Sequence, residues 1–128
     1  MAPRVLIAED EPSIVASLEF LLRKAGYDTR VAHDGEEALG VIESFRPDLV
    51  VLDLMLPRRS GLEVCRWLRA RPGLAAARVL MLTAKGGKQD VQNGFDAGAD
   101  DYLTKPFSTQ DLMQRVRRLV APDRPEAP

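Results

Sequence analysis

The chain is poor in the features that would place it outside the ordinary run of soluble domains. Cys65 is its only cysteine and His33 its only histidine, so neither a disulfide framework nor a Cys/His metal site can be assembled from it. No apolar stretch approaches the roughly 18 residues that a membrane-spanning helix requires. The opening Met1-Ala2-Pro3-Arg4 leads straight into a short apolar run rather than a signal sequence, and a cytoplasmic location is the expectation. Excess charge of one sign is also missing. The net charge is −1 with 29% charged and 45% hydrophobic residues, the makeup of a globular domain and not of a basic nucleic-acid binder. Internal repeats are absent. At 128 residues the chain has length for one core and none for a comparable second.

What is present is alternation. Five short apolar runs, Arg4 to Ala8, Asp28 to Ala32, Asp48 to Asp53, Arg78 to Thr83 and Asp101 to Leu103, are separated by helical patterns, which predicts an α/β fold with a parallel sheet covered on both faces. The first helix is expected to open near Pro12, to bury Ile14, Leu18, Leu21, Leu22 and Ala25, and to stop at Gly26. Asp34 with Glu37, and Ser108 with Asp111, have the spacing of capping boxes at the second and fifth helices. The third, about Gly61 to Ala70, offers Leu62, Cys65, Trp67 and Leu68, whereas the fourth, about Lys88 to Ala97, offers only Val91 and Phe95. The fourth is therefore expected to be the least firmly packed, and Gly86 and Gly87 leave the loop before it free to move. Residues 1–121 form the domain; from Pro122 a Pro-rich tail reads as a disordered end or the start of a linker.

The chemistry lies at the ends of the apolar runs, which in a parallel sheet converge on one crevice. Asp53 closes the third run, and Glu9-Asp10-Glu11 follow the first. Carboxylates crowded in this way repel and raise one another's pKa unless a hard divalent cation such as Mg²⁺ joins them. The same acids would also suit a helix N-terminus through its dipole. Thr83 ends the fourth run beside small Ala84, where its hydroxyl can reach a phosphoryl oxygen; a β-branched strand residue is the plainer alternative. Lys105 follows the fifth run ahead of Pro106 and supplies a point charge suited to phosphate, although an isolated lysine in a turn is usually just solvated. Acidic pair, terminal Asp, terminal Thr and Lys-Pro in this order are far more specific together than apart.

Glu9-Asp10-Glu11, Leu52 to Pro57 with Gly61 four residues on, Leu82-Thr83-Ala84, and Gly98 to Phe107 resemble the receiver domain of two-component response regulators over about residues 4 to 121. The segment Asp100 to Phe107 is most similar to receivers joined to winged-helix DNA-binding domains. The resemblance implies a flavodoxin-like (βα)5 doubly wound sheet of order 2-1-3-4-5. It further implies phosphoryl transfer to Asp53 from a sensor histidine kinase, a phosphotransfer protein or a small phosphodonor. Mg²⁺, with Mn²⁺ as substitute, would be held by Asp10, Asp53 and the Met55 carbonyl, with Glu9 acting through water. Thr83 and Lys105 would contact the phosphoryl group, and a cis peptide is expected at Lys105-Pro106. Tyr102 would rotate inward with Thr83 and remodel the face of helix four, strand five and helix five; a half-buried aromatic with a wet hydroxyl is the alternative. On that face Asp96, Asp100, Asp101, Asp111, Arg115 and Arg118 would supply part of a dimerising charge set, with Val91 and Pro122 standing where basic residues are usual.

Such a domain is a switch that catalyses only its own phosphorylation and autodephosphorylation, as a monomer or a phosphorylation-dependent homodimer, without touching nucleic acid or membrane. Its output would go to a downstream protein or an effector domain, the stand-alone form being slightly preferred. Rival readings fit less well. A phosphohydrolase on a related sheet wants a second carboxylate where Met55 stands, a flavin or nucleotide carrier wants a Gly/Ser/Thr loop where Glu9 to Glu11 stand, and a degenerate receiver would have lost Asp53, Lys105 or a member of the acidic pair. Cys65 reads as a small core residue and His33 as an exposed turn residue.

Overall fold

A computed structural model describes residues 2–121. Strands and helices alternate throughout: β1 (Arg4–Ala8), α1 (Pro12–Lys24), β2 (Asp28–Ala32), α2 (Gly35–Phe45), β3 (Leu49–Leu52), α3 (Gly61–Arg69), β4 (Arg78–Thr83), α4 (Lys88–Asp96), β5 (Asp101–Thr104) and α5 (Thr109–Val120). The five strands form one parallel sheet in the order β2-β1-β3-β4-β5, as the alternation and the resemblance imply. The tail from Pro122 lies outside the described residues.

Side chains on a strand point alternately to the two faces, and both faces here are apolar. Val5, Ile7, Leu49, Val51, Leu80, Leu82 and Leu103 meet Leu18 and Leu22 of α1 and Leu112 and Val116 of α5. On the opposite face Leu6, Ala8, Val50, Leu52, Val79, Met81 and Tyr102 meet Ala38 and Ile42 of α2 and Val64, Cys65 and Leu68 of α3. With both faces given over to these two cores, the polar side chains of a site are left to the ends of the strands.

Several expectations shift in detail. β3 stops at Leu52 rather than Asp53, although the Asp53 amide still donates to the Ala8 carbonyl at 3.0 Å; the acid is thus released from the pleat into the crevice. α1 buries Val15, Leu18 and Leu22, with Ile14 and Leu21 on the flank and Ala25 exposed at its end. A stripe through 15, 18 and 22 is as helical as the expected one, and periodicity alone does not choose between them. In α3 Leu62 and Trp67 are only half-buried while Val64 is fully covered. The Asp34 carboxylate caps α2 by accepting from the Glu37 amide at 2.8 Å, but Glu37 returns to the His33 amide instead of that of Asp34. A complete capping box occurs at Ser60 and Glu63, before α3. α4 buries only Gly94, the smallest buried set of the five helices, and Phe95 is exposed.

Candidate functional site

The carboxyl ends of β1, β3, β4 and β5 bring the expected residues together. Asp53, one residue beyond β3, is 6% exposed; its Oδ1 accepts from the Met55 amide at 3.0 Å and its Oδ2 from Lys105 Nζ at 3.1 Å. The loop between them is held from behind. A Cβ at Gly61 would stand 2.4 Å from the Asp53 carbonyl oxygen and 2.8 Å from Leu54 Cα, and the Gly61 amide donates to the Leu54 carbonyl at 2.9 Å. Only glycine permits that approach.

Glu9 follows directly on β1 and is 2% exposed, while Asp10 next to it is exposed. Oε2 of Glu9 accepts from the Glu11 amide at 3.1 Å. Its Oε1 lies 3.1 Å from Lys105 Nζ, close enough to pair electrostatically but without hydrogen-bond alignment, so this buried oxygen has no hydrogen-bond partner. Burial, reinforced by the Asp53 charge, raises the Glu9 pKa against the opposing pull of the Glu11 amide and of Lys105. For Lys105, burial acts to lower the pKa, but the contacts with Glu9 and Asp53 outweigh it and the net direction is up. A single ammonium is thus shared by two buried carboxylates, with Glu11 at 3.9 Å.

Glu9, Asp10 and Asp53 each offer a carboxylate oxygen, and these atoms lie within 4.8 Å of one another. Three hard oxygens, two of them on buried carboxylates, fit a divalent cation of the Mg²⁺ type.

Thr83 is fully buried at the end of β4, and its Oγ1 accepts from the Lys85 amide at 3.3 Å. The Lys85 carbonyl in turn accepts from the Tyr102 hydroxyl at 2.5 Å. The backbone of one residue, Lys85, therefore joins the hydroxyl of β4, through its amide, to the aromatic of β5, through its carbonyl. Tyr102 is 8% exposed, so its hydroxyl is satisfied by protein, not left wet. Lys105 reaches the site after its own amide donates to the Thr83 carbonyl at 2.8 Å, and the Lys105-Pro106 peptide is cis.

The charge set expected on the face of α4, β5 and α5 is largely spent inside the molecule. Asp101 pairs with Arg115 and Arg118 at 2.8 Å each, Asp111 with Arg115 at 3.0 Å, and Asp100 with Arg69 at 2.7 Å. Asp100 also accepts from the Val79 amide at 2.8 Å, which makes it a brace between β4 and the end of α3. Asp96 has no ionic partner among the described residues and accepts instead from Gln92. Cys65 is buried in the core, where desolvation pushes its thiol up to about 11, and His33 is exposed beside Glu37. Two features escaped sequence reasoning. The Ser60-x-x-Glu63 spacing announces its cap, and Gly94 in a helix interior signals a packing reason.

The model of the response regulator receiver domain matches residues 5–117. The chain belongs to the response regulator receiver family. The receiver is 48% identical over 117 residues to the DNA-binding response regulator MtrA of Mycolicibacterium smegmatis, a match covering 91% of this chain and 50% of that protein. The chain spans half the length of that relative. Among solved structures, a chain from Chloroflexus aurantiacus J-10-fl superposes with a TM-score of 0.89 at 40% identity, covering 94% of this chain and 99% of its own. The Vibrio cholerae chemotaxis protein CheY4 superposes with a TM-score of 0.87 at 30% identity, covering 93% and 99%. Receivers are signalling switches of two-component systems and not conventional enzymes. No helix among the described residues is long and apolar enough to cross a membrane.

Proposed function

We propose that this receiver accepts a phosphoryl group on Asp53 from the phosphohistidine of a sensor kinase or phosphotransfer protein. The observation that carries the reading is the placement of Lys105 Nζ 3.1 Å from both Asp53 and Glu9 at the mouth of the crevice. An Asp53 oxygen forms a bond to phosphorus as the phosphorus–nitrogen bond of the donor breaks, and the electron pair leaves with the imidazole. Such transfer asks the protein mainly for position and for neutralisation of the equatorial oxygens. Lys105 supplies a cation beside Asp53, the Thr83 hydroxyl can donate, and the backbone amides after Asp53 contribute dipoles.

Asp10, Asp53 and the Met55 carbonyl would hold Mg²⁺, or Mn²⁺ in its place, with Glu9 acting through water. The bound ion supplies charge neutralisation for the carboxylates and for the transferred oxygens. Loss of the group follows when water attacks phosphorus and the bond to the Asp53 oxygen breaks, returning the carboxylate and releasing inorganic phosphate, with the same residues in place.

The aspartyl phosphate carries about −1.5 to −2 charges, and Thr83, whose hydroxyl can donate to it while its oxygen still accepts from the Lys85 amide, gains that contact by shifting toward it. The Lys85 backbone passes that shift to Tyr102 and so to the α4, β5 and α5 face, through which a downstream protein or effector domain receives the signal. The kinship with a DNA-binding regulator favours transcription as the output, with DNA contacted by the effector and not by this domain. Because most of the switch-face charges are paired internally, we infer a cytoplasmic monomer before phosphorylation, and a homodimer only once those pairs rearrange.

Incubation with Mg²⁺ and acetyl phosphate followed by intact mass measurement tests the reading. The wild type gains one phosphoryl group and Asp53→Asn gains none; addition that persists in Asp53→Asn would contradict it.

A further inference from the structure

The Tyr102 ring lies inward against α4, and one residue of that helix makes room for it. A Cβ at Gly94 would fall 2.8 Å from Tyr102 Cε2 and 2.9 Å from Cδ2, while the next atom, Met81 Cγ, is at an ordinary 3.7 Å. The ring is therefore the sole close obstacle. At Gly61 the obstacle is backbone, which cannot step aside; an aromatic side chain can leave by rotating about χ1. Gly94 is also the only buried residue of α4, in a helix interior where glycine weakens the helix relative to alanine. A glycine kept there at that cost calls for a packing reason, and the ring supplies it.

We propose that Gly94 is the seat of the inward Tyr102 ring, so that the absence of a side chain at this position lets the switch reach the inward state. Any side chain at 94 expels the ring, breaks the contact between the Tyr102 hydroxyl and the Lys85 carbonyl, and disconnects Thr83 from the α4, β5 and α5 face. Phosphoryl acceptance does not use the ring and survives. Gly94 is thus a positioning residue for the output. The inference rests on the Tyr102 switch proposed above. Phe95, exposed on α4 with its ring centre 6.4 Å from that of Tyr102, loses its aromatic neighbour when the ring departs.

The Tyr27→Phe background leaves Tyr102 as the only tyrosine of the two, and ¹³C-tyrosine labelling then reports its position by NMR. Gly94→Ala is expected to abolish the ring-to-α4 NOEs while the protein still gains one phosphoryl group from acetyl phosphate. Retention of those NOEs in Gly94→Ala overturns the proposal. Where Gly94→Ala folds too poorly for NMR, melting temperature decides: alanine lowers it beside Tyr102 and raises it in a Tyr102→Leu background, and lowering in both overturns the proposal. A wild type that takes no phosphoryl group would sink the functional reading instead, so the two failures are separable.

Discussion

Lys105 sets the electrostatics of the crevice, because Glu9 and Asp53 are both buried and both depend on its one positive charge. In the wild type its raised pKa adds stability that is complete below 10.5 and is lost as pH climbs past the folded value. Lys105→Met removes the charge and leaves Glu9 facing Asp53 uncompensated. The Glu9 pKa then rises further above its ordinary 4.5, so the variant keeps its stability below that value and loses it as pH rises and the carboxyl ionises. We expect a deficit of about 1–3 kcal/mol at pH 8, less than the full loss for a deeply buried pair because the crevice is partly open, and a much smaller one at pH 5. Urea unfolding at the two pH values measures it, and an equal deficit at both would exclude the coupling. Cys65 offers a second test. Burial holds its thiol at about 11, so the native protein should resist thiol reagents at pH 8 and react only on unfolding. Ionising it costs stability between pH 9 and about 11, on the order of 2–3 kcal/mol when complete; rapid labelling of the folded protein at pH 8 would contradict the assignment.

Glycines separate the elements that carry function from those that only carry the fold. Gly61 starts α3 against the backbone of Asp53 and Leu54, and Gly61→Ala must push the acceptor loop. A stability loss of about 1–3 kcal/mol is expected, with phosphoryl acceptance slowed about a hundredfold by misplacement of the nucleophile. Gly40, exposed in the middle of α2 with nothing within 4 Å of an added Cβ, is the control. Gly40→Ala should gain about 0.5–1 kcal/mol through helix propensity and leave acceptance untouched. Melting curves and acetyl phosphate kinetics on both variants distinguish a loop effect from a general glycine effect. The same contrast explains what sequence could and could not reveal. The strands were legible because both faces of the sheet are apolar, and Asp53, Thr83 and Lys105 because each stands at the end of such a run. Gly94 was not, since the atoms it avoids belong to Tyr102, on a different element. Nor were the internal partners of Asp100 and Asp101: Arg69 and Arg118 lie 31 and 17 positions away, and local pattern is blind to pairs at that range.

At the scale of the whole molecule, site and fold are coupled by the four carboxylates at one end of the sheet. Glu9, Glu11 and Asp53 meet a single lysine there, and Asp10 gathers beside Glu9 and Asp53, so folding concentrates negative charge that the unfolded chain disperses. A cation that binds only the folded cluster must therefore stabilise the entire domain, because unfolding scatters its ligands. At about 100 times its dissociation constant the gain is about 2.7 kcal/mol, or about 10 °C in melting temperature for a domain of this size. Asp10→Ala removes one ligand without opening the core, since Asp10 is exposed, and should erase most of the shift while leaving the metal-free melting temperature nearly unchanged. Calorimetry with and without Mg²⁺ on the two proteins, at constant ionic strength, separates site binding from general screening. Equal shifts in the wild type and Asp10→Ala would mean that the acidic end of the sheet holds no specific cation, and the metal-dependent part of the mechanism would fall with it.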